Sequence, residues 1–522
     1  MHSPLSLWRK VVNMQILNNK FAKKLWASGN TWAIDASNTK KDTAYVYEST
    51  NGTQLKTTKE IDRMETLISS SLIRHLHSTP RIHVTASDVD GYIKDYEGIE
   101  GKRLNCNFQL SYYQKEAVKK AMQSQLMVLT GGPGTGKTCV IRGIVYAMER
   151  AMEQPDIIFL APTGKAARRM EESVEKPATT VQKKIRLINE DSIPARIYAD
   201  MIIIDECSML DEPTMLSLVY AMEVGAKILF VGDTDQLPSV GFGAVLRDMI
   251  SSAVIPVVKL EAPQRQKDGS NIYENICVLR KGYSYLTEGD DFTIIPGSDE
   301  NGEQLLVQEY LRRVKEYGID QTVVLTPYRR VGATCANAIN KILQGHMNPP
   351  ERVPHVKVRV VDEEDGEDEK PSTRIVTYSV GDPVMQLRNR NEVANGDVGK
   401  VIDVFKNGIL VKFCDVQVFY ELNELWQLDL AYAMSIHKSQ GSEYKCVITC
   451  ALPEHSGLLT RNLIYTAVTR AKKMCVMICD MDVVAEGIKR EASCERITML
   501  SEKIILEEEK RNLLVNAFQF AA

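Results

Sequence analysis

One stretch, residues 126–140, constrains the fold more than any other part of the chain. It reads LMVLTGGPGTGKTCV: an apolar run that predicts a buried strand, a glycine-rich loop, then a lysine and a threonine at the start of an apolar helix. The spacing fits G-x-x-x-x-G-K-[ST], in which loop N–H groups and the positive end of the helix converge on one oxyanion. The stretch therefore predicts a phosphate-binding loop in its usual strand–loop–helix setting.

The loop and the first helical turn carry the residues expected to bind ATP and Mg²⁺. Lys137 is expected to reach the β- and γ-phosphates, and the hydroxyl of Thr138 is expected to hold Mg²⁺. Glycines let the backbone curl so that several N–H groups point at one phosphate. The residues predicted to contact the nucleotide are Gly132, Pro133, Gly134, Thr135, Gly136, Lys137 and Thr138.

Apolar runs alternate with helical segments after this loop. Runs at 157–161, 201–204 and 227–231 each read as a strand, and each ends in a polar cluster. Strands that alternate with helices predict an α/β fold with a parallel, doubly wound sheet. Ligands of such sheets bind at the carboxyl ends of the strands, which is where the polar clusters fall.

Two carboxylates and one glutamine are the further candidates in this part of the chain. Asp205 and Glu206 directly follow the run at 201–204. A carboxylate there can hold hydrated Mg²⁺ and a second can orient the attacking water, so we assign Asp205 to the metal and Glu206 to the water. Gln236, which follows Asp233 at the end of the next strand, is placed to sense the γ-phosphate.

Three more side chains are candidates for contacts with the nucleotide. Gln114 lies in the first turn of a helix that Ser111 is expected to cap, and it either reads the adenine edge or is a surface glutamine. Arg265 is placed to reach a phosphate from across a domain boundary. Arg470, late in a predicted helix, is expected to stabilise the charge of the transferring γ-phosphoryl group.

The second half of the chain has its own pattern. A second α/β unit is expected to begin near residue 265, and the short strands of 374–428, broken by glycine and asparagine, predict a small inserted all-β barrel. The acidic run 361–369 predicts a solvated loop. Residues 180–199 are either a small hairpin or an ordinary crossover loop.

Composition limits the classes of partner. The formal net charge is −4, so a nucleic-acid site would have to be a local groove. The apolar runs fall short of the ~18 residues of a membrane span, and the beginning of the sequence shows no signal-peptide pattern. Eleven cysteines without zinc-site spacing predict reduced core thiols. We therefore expect a cytoplasmic protein without a membrane partner.

Taken in order, these motifs resemble those of superfamily 1 helicases, most closely the RecD-like group that includes the phage Dda-type enzymes. The resemblance covers residues 107–480. The stretches that carry it are LSYYQKEAV, GGPGTGKT, APTGKAARRM, DECSM, GDTDQLPSVGFG, the arginine-glutamine of PQRQ, MQLRNRNEVANGDVGKV, HKSQGSE and YTAVTRAKK.

The resemblance implies two RecA-like motor domains with ATP in the cleft between them. It implies that Gln114 reads adenine, that Arg265 and Arg470 are arginine fingers, that Gln236 couples to the γ-phosphate and that Glu443 lies near the nucleotide sugar. The residues that it places along single-stranded DNA are Pro162, Thr163, His437 and Ser439. It also implies 5′ to 3′ movement.

The resemblance gives an expected division into domains. The barrel resembles the SH3-like insertion of the group, and the possible hairpin lies where the group carries its strand-separating pin. The expected units are an N-terminal accessory domain at 1–105, a first RecA-like motor domain at 106–264 with the pin at about 183–199, a second RecA-like motor domain at 265–345 and 428–522, and an inserted SH3-like β-barrel with the acidic loop at 346–427.

The expected activity is that of an ATP-dependent DNA helicase that uses Mg²⁺ and acts in replication, recombination or repair. Its expected partners are single-stranded DNA, junctions of single- and double-stranded DNA, and other replication or repair proteins, and a monomer would suffice because one chain carries both motor domains. Two alternatives stay open: a translocase or remodeller that does not unwind, and a nucleotide-gated subunit of a repair complex.

Overall fold

The fold is known from a computed structural model, and three of the predictions fall in parts of the chain that it does not describe. The described residues are 43–48, 54–185, 194–261, 269–362, 372–390, 393–414, 416–490, 496 and 498–521. The centre of the possible pin, Arg265 and nearly all of the acidic run lie outside them. Within the described residues, no helix has the length and the apolar character needed to cross a membrane.

The amino-terminal segment completes the core of the first motor domain. Its described elements, which begin at residue 43, are an antiparallel pair, β1 (Thr43–Glu48) and β2 (Gln54–Thr58), and two helices, α1 (Lys59–Leu76) and α2 (Ala86–Leu104). The apolar face of α1 packs on one side of the first sheet and that of α2 on the other. These helices share the core of that sheet, whereas the sequence analysis assigned residues 1–105 to a separate accessory domain.

The first sheet is parallel and has six strands in the order β5-β4-β6-β7-β3-β8. Its elements, in chain order, are α3 (Tyr112–Gln123), β3 (Leu126–Gly131), α4 (Lys137–Ala151), β4 (Ile157–Ala161), α5 (Gly164–Val174), β5 (Ala178–Thr180), α6 (Val181–Lys184), β6 (Met201–Ile204), α7 (Glu212–Ala221), β7 (Lys227–Gly232), α8 (Val245–Ser251) and β8 (Val257–Leu260). The three central strands β6, β7 and β3 are buried along their whole length, as expected for strands covered by helices on both faces.

The second motor domain begins with α9 (Asn271–Arg280), β9 (Phe292–Pro296), α10 (Gly302–Tyr317), β10 (Thr322–Thr326) and α11 (Ala336–Met347). An insertion interrupts it. The insertion consists of a hairpin of β11 (His355–Asp362) and β12 (Ser372–Ser379), followed by β13 (Pro383–Gln386), β14 (Val398–Phe405), β15 (Gly408–Phe413), β16 (Val416–Glu421) and β17 (Leu428–Leu430).

The last five of these strands form an antiparallel sheet in the order β16-β15-β14-β13-β17. The sheet extends three residues beyond the boundary expected at 427, because β17 pairs with β13. The insertion also contacts the first motor domain: Arg168 pairs with Asp397 at 3.2 Å, and a Cβ on Gly164 would lie 2.0 Å from that of Ala394. Only glycine permits this approach at the start of α5.

After the insertion the second sheet is completed by β18 (Ala433–Ser435), β19 (Tyr444–Ala451), α12 (Arg461–Thr469), β20 (Ala471–Cys479) and α13 (Met481–Lys489). Its parallel strands run in the order β18-β10-β19-β20-β9. The cysteines expected in this core are buried: Cys446, Cys450, Cys475 and Cys479.

The final helix, α14 (Leu500–Ala521), returns to the first motor domain. Leu500 and Ile504 are buried in the core that α1 shares with the first sheet. Lys503 pairs with Asp62 at 2.7 Å and with Glu65 at 3.1 Å. From the sequence we placed the whole of 428–522 in the second motor domain, whereas this helix packs on α1 and α8 of the first.

Candidate active site

The phosphate loop joins β3 to α4 and is ordered by its own hydrogen bonds. Gly134 and Gly136 have φ values of 75° and 86°, in the left-handed region that glycine adopts at little cost. Thr135 Oγ1 donates to the carbonyl of Gly132 at 2.8 Å. Lys137 Nζ donates to the carbonyls of Gly131 and Gly132 at 2.6 and 3.1 Å. The lysine charge is therefore held over the loop, where phosphates bind.

Gln114 is tied to this loop. The residue is buried, and its Nε2 donates to the carbonyl of Thr135 at 3.1 Å while its Oε1 accepts from the backbone N–H of Ser111 at 2.9 Å. The alternative of a surface glutamine is therefore wrong, and the cap at Ser111 is confirmed. Both ends of the amide are engaged within the chain, so reading adenine would require at least one of these bonds to be exchanged.

Asp205 and Glu206 lie at the carboxyl end of β6, beside the loop. Glu206 adopts φ 53°, and its N–H donates to Asp205 Oδ1 at 2.8 Å. Burial, and after it the charge of Glu206, raise the pKa of Asp205 to about 6, and the nearby Lys137 opposes the rise. The two carboxylates and the lysine thus act on one another electrostatically.

The donor set fits Mg²⁺. Asp205 and Thr138 offer hard oxygen ligands, and Mg²⁺ commonly takes one or two protein oxygens and completes its shell with phosphates and water. Over the described ranges, no group of three or more His, Cys, Asp and Glu side chains is placed to hold a metal. A metal at this site would therefore depend on the nucleotide for part of its coordination.

The second motor domain contacts the segment that follows β7. Arg470, immediately after α12, is buried and donates through Nη2 to Gln236 Oε1 at 2.9 Å. Its Nε and Nη1 donate to the carbonyls of Thr466 and Ser442 at 3.1 and 3.2 Å, and burial lowers its pKa. Gln236 Nε2 in turn lies 3.4 Å from Asp233 Oδ2.

Sequence reasoning missed several side chains of this interface. Tyr465 donates its hydroxyl to Asp233 Oδ2 at 2.9 Å. Asn462 Nδ2 donates to the carbonyl of Asp235 at 3.0 Å, and Gln440 Nε2 to that of Leu237 at 3.1 Å. The only sequence signal for Tyr465, Asn462 and Gln440 is that each lies within a motif of the second domain. The local pattern does not indicate which strand end these side chains face.

Glu443 lies at the domain boundary in a network of salt bridges. It pairs with Arg169 of α5 and with Lys472 at 2.7 Å. The three side chains connect the first motor domain to two segments of the second. A contact of Glu443 with the nucleotide sugar, as the family resemblance implies, would have to compete with both cations.

The residues expected along DNA fall into two groups. Thr163 caps α5 by accepting from the N–H of Ala166 at 3.2 Å, next to Pro162, and a Cβ on Gly441 would lie 3.8 Å from Thr163 Oγ1. The two motor domains are therefore adjacent at this point. Ser439 is buried and its hydroxyl donates to the carbonyl of Ile436 at 2.7 Å, so that hydroxyl faces the protein.

His437 lies two residues before Ser439 and is partly exposed. Burial and the nearby Arg496 lower its pKa, which favours the neutral ring. Arg496 itself donates to the carbonyls of Gly241 and Gly243 at 2.7 and 3.0 Å, so it fastens the loop that follows Gln236. Sequence reasoning gave no role to Arg496.

The structure contains two parallel-sheet domains of RecA-like type. The first carries the phosphate loop, and the buried Arg470 of the second reaches Gln236, which follows the strand β7 of the first. This arrangement defines a two-domain P-loop motor. Two family models match the chain: an AAA domain at residues 109–289 and a UvrD-like helicase C-terminal domain at residues 430–478.

The chain is similar to curated helicase proteins. It is 31% identical over 418 residues to the RecBCD enzyme subunit RecD of Mycolicibacterium smegmatis, an alignment that covers 73% of each chain. It is 33% identical over 409 residues to the ATP-dependent RecD2 DNA helicase of Deinococcus radiodurans, covering 77% of this chain and 52% of that relative. The chain belongs to the RecD family of superfamily 1 helicases.

The chain spans about half the length of the Deinococcus relative. Among solved structures, a Pif1 helicase from Candida albicans aligns with a TM-score of 0.44 at 19% identity, covering 78% of this chain and 99% of that chain.

Proposed function

We propose that this protein is an ATP-dependent DNA helicase that moves 5′ to 3′ on single-stranded DNA and unwinds duplex ahead of it, in recombination or repair. The observation that carries the proposal is the buried contact between Arg470 and Gln236, which joins the second motor domain to the strand end beside the phosphate loop. The similarity to a RecD2 DNA helicase and to a RecBCD enzyme subunit RecD supports the same activity.

In this proposal the first motor domain binds the triphosphate. Lys137 leaves the loop carbonyls to meet the β- and γ-phosphates, and Glu206 orients the attacking water. Thr138 and Asp205 hold Mg²⁺, which supplies charge stabilisation at the phosphates when bound. Gln114 reads adenine by exchanging its bond to the Thr135 carbonyl.

The second motor domain supplies the arginines. Arg470 and Arg265 neutralise the charge that develops on the γ-phosphoryl group, and Gln236 reports the state of that phosphate to Arg470. Because Arg470 is anchored on the carbonyls of Thr466 and Ser442, any shift of Gln236 is transmitted to α12 and to the segment that follows Gln440. Hydrolysis then changes the relative position of the two domains.

The proposed track for single-stranded DNA crosses both domains. Pro162 and Thr163 of the first domain and His437 and Ser439 of the second would contact the strand, with the Ser439 contact made through its backbone because its hydroxyl faces inward. The inserted sheet with its hairpin would form the SH3-like barrel, and the segment around 183–199 would form the pin. A monomer is sufficient for this cycle.

Unwinding of tailed duplexes tests the proposal. Purified chain is given ATP, Mg²⁺ and duplexes that carry a single-stranded tail at either the 5′ or the 3′ end. The proposal predicts strand separation of the 5′-tailed duplex alone. Opening of only the 3′-tailed duplex would overturn the polarity, and DNA-stimulated hydrolysis without opening of either would indicate a translocase that does not unwind.

A second candidate function is a nucleotide-gated subunit of a larger repair complex. It is favoured by the similarity to the relative from Mycolicibacterium smegmatis, which is a subunit of a RecBCD enzyme. This candidate predicts negligible ATP hydrolysis by the isolated chain, with or without DNA. Substantial turnover by the isolated chain would exclude it.

A further inference from the structure

The phosphate loop has a second neighbour from the other motor domain besides the groups already described. Arg280 is the last residue of α9, and a Cβ built on Gly132 would lie 3.3 Å from Arg280 Nη1 and 3.2 Å from the hydroxyl of Tyr465. Two side chains of the second domain therefore touch the same residue of the loop. A side chain at position 132 would push one of these two groups aside by a few tenths of an ångström.

Lys137 indicates which part of the loop this is. Its Nζ donates to the Gly132 carbonyl at 3.1 Å, so the lysine and Arg280 lie beside the same loop residue. The lysine of a phosphate loop reaches the β- and γ-phosphates. Arg280 thus approaches the loop where the outer phosphates of a bound nucleotide lie.

A carboxylate orients the guanidinium of Arg280. Its Nε donates to Asp235 Oδ2 at 2.7 Å, and the N–H of Asp235 donates to Asp233 Oδ1 at 3.1 Å. In the described part of the chain, neither Nη group of Arg280 has a hydrogen-bond partner. The side chain is only 19% exposed, so these two Nη groups lie in a partly desolvated place and can donate to an anion.

We propose that Arg280 is a nucleotide-contacting residue, a third arginine of the second motor domain that donates to the γ-phosphate of ATP bound at the phosphate loop. Asp235 is the positioning residue that holds the guanidinium at Nε and leaves both Nη groups for the phosphate. A planar fork of this kind is well suited to phosphate oxygens. The inference rests on the proposed ATP site.

A contact between Arg280 and the γ-phosphate would favour ATP over ADP. ADP lacks the γ-phosphate, so Arg280 would strengthen the binding of ATP more than that of ADP. It would also link the presence of the γ-phosphate to α9, which packs against α12, the helix before Arg470. The same nucleotide state would then be sensed at two points of the second domain.

The test measures equilibrium binding of a fluorescent non-hydrolysable ATP analogue and of the matching ADP in the presence of Mg²⁺. Arg280→Gln is expected to weaken the ATP analogue about tenfold or more and to leave ADP within about twofold, because a hydrogen bond to a charged group is lost only for the triphosphate. Arg280→Lys keeps the charge but not the fork, and is expected to lose part of this preference. Lys281→Gln, an exposed neighbour, is the control and should bind as the wild type.

The variant Asp235→Asn distinguishes two roles of Arg280: contact with the phosphate, and an ion pair with Asp235 that only joins the domains. It removes the partner of Arg280 but keeps the arginine, so it should retain a preference for the ATP analogue over ADP that Arg280→Gln has lost. An unchanged ratio of the two dissociation constants in Arg280→Gln would overturn the inference, as would equal losses in Arg280→Gln and Asp235→Asn. Failure of the wild type to bind either nucleotide would instead refute the proposed ATP site itself.

Discussion

The guanidinium of Arg470 donates to Oε1 of Gln236 at 2.9 Å, in a place where both residues are buried. The two are 234 positions apart in the chain and belong to different motor domains. A buried charge is costly unless its donors find acceptors, and here the carbonyls of Thr466 and Ser442 and the hydroxyl of Thr469 accept further hydrogen bonds from Arg470. The contact is therefore a specific junction between the domains, beside the phosphate loop.

Substitution of Arg470 is expected to affect turnover far more than folding of either domain. Arg470→Ala should lower DNA-stimulated kcat by about 10³-fold, since an arginine finger contributes on this scale, while binding of ADP changes little. Steady-state ATP hydrolysis measures the change. Lys473→Ala, at an exposed site three residues further on, is the control and should keep wild-type turnover. Normal hydrolysis by Arg470→Ala would remove the residue from the catalytic set.

Gln236 is expected to couple DNA binding to hydrolysis. Gln236→Ala removes the acceptor of Arg470 and the donor to Asp233, so the second domain no longer senses the state of the first. Stimulation of ATP hydrolysis by single-stranded DNA should fall at least about tenfold, a loss that corresponds to one hydrogen bond to a charged group. Basal hydrolysis should fall less. Val240→Ala, at an exposed site of the same loop, serves as the matched control. Equal loss of basal and stimulated rates would contradict the coupling role.

The ion pair between Arg169 and Glu443 is expected to hold the two motor domains together. A double-mutant cycle of Arg169→Ala and Glu443→Ala should give a coupling of about 1 kcal/mol in kcat/KM for ATP, because the two side chains are in contact. The double-mutant cycle for Lys176 and Glu149, an ion pair within the first domain, should give no coupling in kcat/KM for ATP. Additive effects for the first pair would show that it does not contribute to domain closure.

Stability in acid is expected to depend on His75. The ring is fully buried on α1, and burial lowers its pKa to about 4, with the charge of Arg74 acting in the same direction. Since the pKa is about 6.5 in an unfolded chain, the stability linked to the neutral ring is complete above that pH and is lost as the pH falls toward 4. The loss is at most about 1.4 kcal/mol per pH unit.

Urea unfolding at pH 7.5 and at pH 5 measures this dependence. The free energy of unfolding of the wild type should fall relative to that of His75→Leu as the pH is lowered. His83→Gln, at an exposed site, should follow the wild type at both values. A constant difference between the wild type and His75→Leu would show that the buried ring does not cause the acid sensitivity.

The return of α14 to the first motor domain is expected to depend on Lys503. Its partner Glu65 is 2% exposed, and burial raises the pKa of that carboxyl to about 7 although Lys503 opposes the rise. Lys503→Met leaves the carboxylate without its cation and should cost about 3–5 kcal/mol of unfolding free energy at pH 8. The cost should be smaller at pH 6, where Glu65 takes up a proton.

Thermal and urea unfolding at the two pH values check this prediction, and the added substitution Glu65→Gln should recover most of the loss at pH 8. Lys510→Met, on the same helix but in an exposed pair with Glu507, should change little. Equal stability of Lys503→Met and the wild type at pH 8 would show that the buried ion pair does not hold α14.

The sequence predicted the first motor domain well where local chemistry decides the structure. Apolar runs alone predicted β4 and β6 with the bounds that the structure has. The strand–loop–helix setting of Lys137 was also confirmed. In each case the signal lies within one segment: an apolar run bounded by polar residues, or a helical face bounded by a cap.

Relationships between distant segments could not be read in this way. The packing of α1, α2 and α14 on the first sheet depends on which apolar faces match, and an amphipathic pattern does not name its partner. The hairpin of β11 and β12 was missed because the acidic run between its strands dominated the local pattern. Arg280 was missed because a single arginine at the end of a helix carries no signal for what it faces.

The tyrosines show the same limit. By sequence alone, Tyr328, Tyr432 and Tyr444 could either stack on bases or pack in the core. Tyr432 is fully buried and donates its hydroxyl to Asp382 at 2.7 Å, so it belongs to the core, and Tyr444 is also buried. Whether an aromatic residue stacks on a ligand or packs in the core depends on the tertiary structure, which the sequence pattern does not determine.

ATP hydrolysis by the purified chain, measured with and without single-stranded DNA, shows whether the contact between the two motor domains couples DNA binding to turnover. We expect slow basal turnover that single-stranded DNA raises at least about tenfold, because DNA bound across both domains aligns Arg470 and Gln236 with the phosphates. Lys137→Ala should abolish both rates. Turnover that is the same with and without DNA would contradict the claim that the contact between the two motor domains couples DNA to hydrolysis.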